Sequence, residues 1–394
     1  MGTSTDSNKL NSILQFTSKA NRFGALGPVI TRQILPSTYV SGAGALQNLP
    51  DIVSRLGERP VVIHGDVGWQ QVKDSVLTSL PEGATDNLIH YHGYCTEVDI
   101  NRYAEKLSQA DYDLVIAVGG GKVLDLAKGA AFTASIECIT VPTSPATCAC
   151  IAPLSVIYGD QNEVLGVLSF THAFAATIID TDVIGAAPAR LLASGILDAL
   201  AKWHEVRLSQ RQHGRLDAPI AASLSLCDSM KAVFDEHAQT AIDDAKAGQT
   251  SETRAFVAES AILFPGLMSG LAGNGTRIAA SHPVHDALTL LEGAHQSLHG
   301  ELVGFGILTE MVLDGRPDAE VQQTAQTFQA LGQPVGLAGL GVAEALTTHA
   351  DKVAERVLID PFFQEVFAGV TASEVRQALA QTDALAIAAG QVAS

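Results

Sequence analysis

Short apolar runs alternate with helical spacings over the first half of the chain. Pro60-Val-Val-Ile-His-Gly65 reads as a strand ending in a glycine, and Leu114-Val-Ile-Ala-Val118 as a continuous apolar run of the kind buried on both faces. Cys138-Ile-Thr-Val141 is a third such run, stopped by Pro142, and segments between them, such as Val123–Ala131, carry apolar residues at helical spacing. Strand alternating with helix predicts βαβ units, a parallel sheet and right-handed crossovers. From about Pro188 the pattern changes to long Ala- and Leu-rich stretches: Arg190–Ser209, Ala221–Phe234, Thr253–Leu263, Arg277–Leu291 and Val303–Leu313. Turn signals at His213-Gly214, Gly270 to Gly275 and Gly332-Gln-Pro-Val-Gly336 separate them. The expected architecture is an α/β parallel-sheet domain over 36–185 followed by an all-α domain over 186–394. A polar, irregular extension precedes both over 1–35.

Composition narrows the partners. The 394 residues include 24 basic and 42 acidic side chains, a formal net charge of −18, which repels phosphate backbones and anionic lipid. Nucleic acid and membrane surfaces are therefore not expected partners. No run of about 18 uncharged apolar residues is present, and the first 25 residues lack the apolar core of a signal peptide. Cys95, Cys138, Cys148, Cys150 and Cys227 form an odd, scattered set without a CxxC pair, which suits free thiols in a reducing, cytoplasmic compartment. Charged residues at 17% fall below the usual quarter, which favours burial of surface in a homo-oligomer.

Two segments carry candidate chemistry for a nucleotide. Gly119-Gly120-Gly121-Lys122 joins the apolar run at 114–118 to a helical pattern. Side-chain-free residues let the backbone approach a phosphate, and the helix start offers unpaired N–H groups and the positive end of its dipole. The stretch matches neither GxGxxG nor the Walker pattern. Val141-Pro-Thr143-Ser144-Pro-Ala-Thr147-Cys148 is a second loop after a strand, at the sheet edge where open parallel sheets bind ligands.

A third group points to a metal or to a hydrogen-bonded core. His282, His285, His295 and His299 fall within 18 residues, and the i, i+3 pair His282 and His285 would share a helix face. Asp198 sits among apolar residues in Gly195-Ile-Leu-Asp198-Ala-Leu-Ala-Lys202-Trp203, a costly place for an unpaired charge. Imidazole and carboxylate suit zinc and other divalent metals. Spacing by itself leaves both readings open.

Taken together these segments resemble the iron-containing alcohol dehydrogenase superfamily, in its glycerol dehydrogenase-like branch, with the nearest likeness to bacterial hydroxycarboxylate dehydrogenases. The likeness runs from about Pro36 through GGGKVLDLAK, VPTSPATCACIAPLSVIY, GILDALAKWHE, SHPVHDALT and LHGELVGFGIL, in the family's order. It implies the dehydroquinate synthase-like fold, with a divalent metal between a nucleotide domain and a helical domain. Carried over by position, Asp198, His282 and His299 would hold the metal. Gly119, Gly120, Gly121 and Lys122 would hold the pyrophosphate, and Thr143, Ser144, Leu154 and Tyr158 would line the nicotinamide.

Three departures from the family pattern refine the expectation. Lys202 stands where iron-dependent members carry a fourth ligand, which favours a three-ligand zinc site over iron. Cys148 stands where glycerol dehydrogenases carry an aspartate that accepts from the substrate. Gly65 stands where NAD-specific relatives carry a ribose-binding aspartate, which makes room for a 2′-phosphate and favours NADP(H), with NAD(H) the other cofactor.

The expected reaction is hydride transfer between NAD(P)(H) and a small carbonyl or hydroxyl compound, a 2-oxo acid and 2-hydroxy acid pair first. His285 is expected to relay a proton or orient the site. Lys202 or Arg277 would supply the cation for a carboxylate. Glycerol or another polyol with NAD is the alternative, ahead of a sugar-phosphate cyclase or lyase and of a non-catalytic nucleotide sensor.

Overall fold

Every residue of Pro60–His64 and of Leu114–Gly119 is buried, and both segments are inner strands of a parallel sheet. The structure is a computed structural model that describes residues 32, 34–214, 216–273 and 277–392. The extension expected over 1–35 lies outside the described residues except for Arg32, Ile34 and Leu35. In chain order the first region comprises β1 (Thr38–Gly42), α1 (Leu49–Leu56), β2 (Pro60–His64), α2 (Trp69–Thr78), β3 (Leu88–His90), α3 (Glu97–Gln109), β4 (Leu114–Gly119), α4 (Gly121–Ala134) and β5 (Glu137–Pro142). It continues with β6 (Leu154–Tyr158), β7 (Val164–Ser169), β8 (Ala176–Asp180) and α5 (Thr181–Gly185). Among the described residues, β1, β8, β5, β4, β2 and β3 form a six-stranded sheet in that order, parallel throughout. Successive side chains point to opposite faces of a strand. Leu114, Ile116 and Val118 accordingly join the α1–α2 layer, while Val115 and Ala117 join the α3–α4 layer.

The second region is helical: α6 (Ala189–His213), α7 (Ala218–Lys246), α8 (Glu252–Ala272), α9 (Ser281–Leu288), α10 (His299–Leu313), α11 (Asp318–Ala330), α12 (Ala343–Leu358), α13 (Pro361–Val366) and α14 (Ala372–Val392). One buried cluster runs without a break from Val61, Val115 and Leu126 in the sheet region to Ile196, Leu197 and Val257 in the helices. That shared core holds the two regions against each other.

Two expectations need correction. The helix expected from Arg277 starts at Ser281, with Pro283 in its first turn. Gly270 belongs to α8, because that helix continues to Ala272. Outside the parallel sheet, β6 pairs antiparallel with β7 in a separate hairpin. Helix α8 is also long and apolar enough, by length and composition, to cross a membrane, and it is mostly buried inside the fold.

Candidate functional site

The sheet order reverses around β2 and β4, and a crevice of about 650 Å³ opens beyond their carboxyl ends. Gly65 to Gly68 line it after β2, Gly119 to Lys122 after β4 and Thr143 to Cys148 after β5. Gly119 has φ +154°, and a Cβ there would press Val123 Cβ at 3.1 Å, so a side chain would be strained on two grounds. The next residue, Gly120, begins α4 without any side-chain cap, and a Cβ on it would meet nothing within 4 Å. The result is an open cradle at a helix N-terminus, which fits a pyrophosphate.

Beyond Gly65, Asp66 also lines the crevice. Its Oδ1 bonds His90 Nε2 at 2.5 Å and its Oδ2 bonds His92 Nδ1 at 2.7 Å. These bonds, that of His92 first, hold its carboxyl below the usual range.

Beneath the crevice Lys128, 1% exposed, donates from Nζ to the carbonyls of Ala149 (2.5 Å), Ala152 (3.0 Å) and Leu154 (2.6 Å). It also pairs with Asp125 Oδ1 at 3.2 Å, and Asp125 Oδ2 accepts from Val156 N. This buried ammonium shapes the loop between Cys148 and Leu154.

On the helical side, Asp198 from α6, His282 from α9 and His299 from α10 each offer a ligand atom, all within 4.8 Å of one another. Asp198 Oδ1 lies 3.4 Å from His282 Nε2 and 3.2 Å from His299 Nε2. Close backbone approach makes this convergence possible. A Cβ on Gly300 would stand 1.8 Å from the Ser194 carbonyl of α6, and one on Gly306 would stand 2.2 Å from the Ser281 carbonyl of α9.

Two buried relays set the imidazoles. Glu205 Oε2 accepts from His282 Nδ1 at 2.7 Å, and its Oε1 accepts from the backbone N–H groups of Ala279 and His282. His299 Nδ1 meets His285 Nε2 at 2.9 Å, and His285 Nδ1 donates to Asp286 Oδ1 at 2.8 Å. With Nδ1 of each ring engaged by these partners, the Nε2 atoms of His282 and His299 both face Asp198.

Two imidazole nitrogens facing one carboxylate are bridged either by protons or by a cation, and the donor set fits a divalent metal. Burial opposes the charge on Asp198, but His299 and His282 hold its carboxyl far below the usual range. Burial likewise opposes protonation of His282, yet Glu205 raises it to about 9. Burial and the neighbouring His299 push His285 down to about 4, leaving it a neutral relay.

The expected cofactor contacts Gly65, Gly119, Gly120, Gly121, Lys122, Thr143, Ser144, Leu154 and Tyr158 all line the crevice, as do Cys148, Asp198, Lys202, His282 and His299. His285 stands behind His299 and does not line it. The Lys202 ammonium is committed to Glu205 Oε2 (3.1 Å), the Arg277 carbonyl (3.4 Å) and the His282 ring. Burial, then the Asp198 charge, pushes the Cys148 thiol up to about 12, so it is no nucleophile at neutral pH.

Sequence reasoning missed Glu205, Asp286, Lys128 and Arg356. Only Glu205 left a trace, since Asp198, Lys202 and Glu205 recur at i, i+4, i+7 along one helix face.

Comparison with known proteins adds the following. The family model described as iron-containing alcohol dehydrogenase matches residues 36–181. The glycerol dehydrogenase of Pseudomonas putida is 31% identical over 361 residues, covering 89% of this chain and 96% of that protein. Hydroxycarboxylate dehydrogenase A of Escherichia coli is 32% identical over 326 residues, covering 82% and 89%. The crystal structure of a probable glycerol dehydrogenase from Sinorhizobium meliloti superposes with TM-score 0.80 at 27% identity, over 91% of this chain and 99% of that one.

Proposed function

Since the chain belongs to the iron-containing alcohol dehydrogenase family, we propose that it is an NAD(H)-linked, metal-dependent dehydrogenase. It would interconvert a hydroxyl and a carbonyl on a small hydroxy compound. The observation that carries this reading is the convergence of Asp198, His282 and His299 on the crevice that also holds the glycine cradle. Bound there, a divalent cation supplies Lewis acidity and NAD(H) supplies the hydride chemistry.

The chain's own groups bind and orient. The uncapped start of α4 receives the pyrophosphate, and Thr143, Ser144 and Leu154 line the space beyond it. Asp66 accepts from the ribose hydroxyls, and its charge repels a 2′-phosphate. That carboxylate, one residue past Gly65, supports NAD(H) rather than NADP(H). Glu205 and the His285–Asp286 pair fix the two imidazole tautomers. Two imidazoles and one carboxylate support zinc, with Lys202 in the place of a fourth ligand.

The polyol named for the Pseudomonas putida relative supports glycerol or a similar diol as the first substrate to test. A 2-hydroxy acid belongs to the same reaction class, as the name of the Escherichia coli relative illustrates. Chelator-stripped protein reloaded with Zn²⁺ or Fe²⁺ is assayed with NAD⁺ and NADP⁺ against glycerol, propane-1,2-diol and lactate, following the nicotinamide absorbance. Metal-dependent, stoichiometric reduction of NAD⁺ is expected. Cofactor binding without turnover across a broad alcohol panel would instead support a nucleotide sensor.

Glu205→Gln keeps the shape of that side chain but removes its charge from the His282 Nδ1–H. Zinc affinity, measured by chelator competition, is expected to fall about 10- to 100-fold. An unchanged Kd would remove Glu205 from the site.

A further inference from the structure

Among the described residues four lysine and arginine side chains line the crevice: Lys122, Lys202, Arg277 and Arg356. Three are engaged. Lys122 Nζ lies 3.3 Å from the Tyr94 ring centroid, and Lys202 donates to Glu205 and to the Arg277 carbonyl. Arg356 pairs with Asp286 at 3.6 Å and Asp360 at 3.9 Å.

Arg277 differs. It is 7% exposed and no described carboxylate lies within ion-pair reach, while its shielded Nε, like that of Arg356, has no hydrogen-bond partner. Its guanidinium lies 5.8 Å from the Phe362 ring centroid. Glu205, whose charge it feels, is already bonded to Lys202, to His282 and to two backbone N–H groups. Burial lowers Arg277 only to about 10, so it is a cation at neutral pH. The Arg277 carbonyl and the His282 ring both lie within 3.5 Å of Lys202 Nζ, so this residue borders the Asp198–His282–His299 group.

A buried guanidinium without a counter-ion is costly, and its planar fork matches a carboxylate. We infer that Arg277 is an oxyanion subsite, which takes the carboxylate of a small 2-hydroxy or 2-oxo acid whose C2 oxygen faces Asp198, His282 and His299. The inference rests on the dehydrogenase reading and narrows its substrate class. The 2-hydroxy acid gives the C2 hydride to NAD⁺ and its hydroxyl proton to solvent, yielding the 2-oxo acid, NADH and H⁺.

Lactate and propane-1,2-diol share one carbon skeleton and differ in carboxylate against hydroxymethyl. With zinc-reloaded enzyme and NAD⁺, the lactate-to-diol ratio of kcat/KM is expected to fall about 30-fold or more in Arg277→Met and to recover in part in Arg277→Lys. Independently of turnover, oxamate is expected to raise the Tm of the wild-type NADH complex and not that of Arg277→Met, with neutral acetamide inert towards both. Turnover of the diol but not of lactate, or equal losses on both in Arg277→Met, overturns the subsite and leaves the dehydrogenase reading standing. Turnover of neither these two nor any alcohol of the broad panel overturns that reading, and the oxamate shift then decides the subsite by itself.

Discussion

Asp198→Asn is expected to lower kcat/KM by about 1,000-fold or more, with zinc content falling in parallel. Asparagine preserves the shape of the side chain and removes its charge. Asp198 is 5% exposed and is the carboxylate that both Nε2 atoms face. Without it, a divalent cation would lose the one anionic ligand among three and meet two neutral imidazoles in a buried site. Lewis-acid assistance amounts to several kcal/mol, and each ~1.4 kcal/mol is tenfold in rate. The proposed nucleotide site is the glycine cradle of α4, away from Asp198, so NADH affinity measured by fluorescence is expected to hold while turnover is lost. Wild-type turnover in a metal-depleted Asp198→Asn protein would detach the three side chains from the chemistry.

Lys128→Met is expected to produce the largest loss of stability, about 3–5 kcal/mol and on the order of 10 °C in Tm. The substitution removes the donor to three carbonyls and the counter-ion of Asp125. Burial already raises the Asp125 carboxyl against the pull of Lys128, and the variant strengthens that rise. A carboxyl raised in the folded state contributes stability at low pH and loses it as pH climbs through the folded value. The deficit of the variant is therefore expected to grow as pH rises in denaturant titrations. Adding Asp125→Asn removes the stranded charge, so the double variant is expected to regain part of the loss. Because the Lys128 carbonyl partners include Leu154, which lines the crevice, NADH affinity is expected to weaken as well. A pH-independent deficit below 1 kcal/mol would show that the ammonium is dispensable.

The periodic features were legible in the chain itself. Pro60–His64, Leu114–Gly119 and Glu137–Pro142 are strands with a glycine turn at 119–121 because burial on both faces demands continuous apolar runs, and those are visible without neighbours. Asp198 stood out as a charge among apolar residues. The site residues themselves were collected by family resemblance, since Asp198, His282 and His299 lie on three helices and no local spacing ties them together.

The start of α9 shows where local reading fails. No side chain of its own caps it. Its N–H groups at Ala279 and His282 are instead accepted by Glu205 of α6, and those at Ala280 and Ser281 by Glu310 of α10. A helix bound from outside leaves no signature in its own residues, so the sequence pattern ran on to Arg277.

By itself, then, the sequence determined the order of strands and helices, the glycine cradle and the residue types available for a metal. These follow from backbone geometry and side-chain polarity, which act over a few residues. Only the tertiary structure decided that Lys202 is committed to Glu205 while Arg277 has no described carboxylate in ion-pair reach, that Asp66 lines the crevice beside Gly65, and that His285 stands behind His299. Each of those depends on which buried partner lies within hydrogen-bond reach, and that distance is set by the packing of helices far apart in the chain.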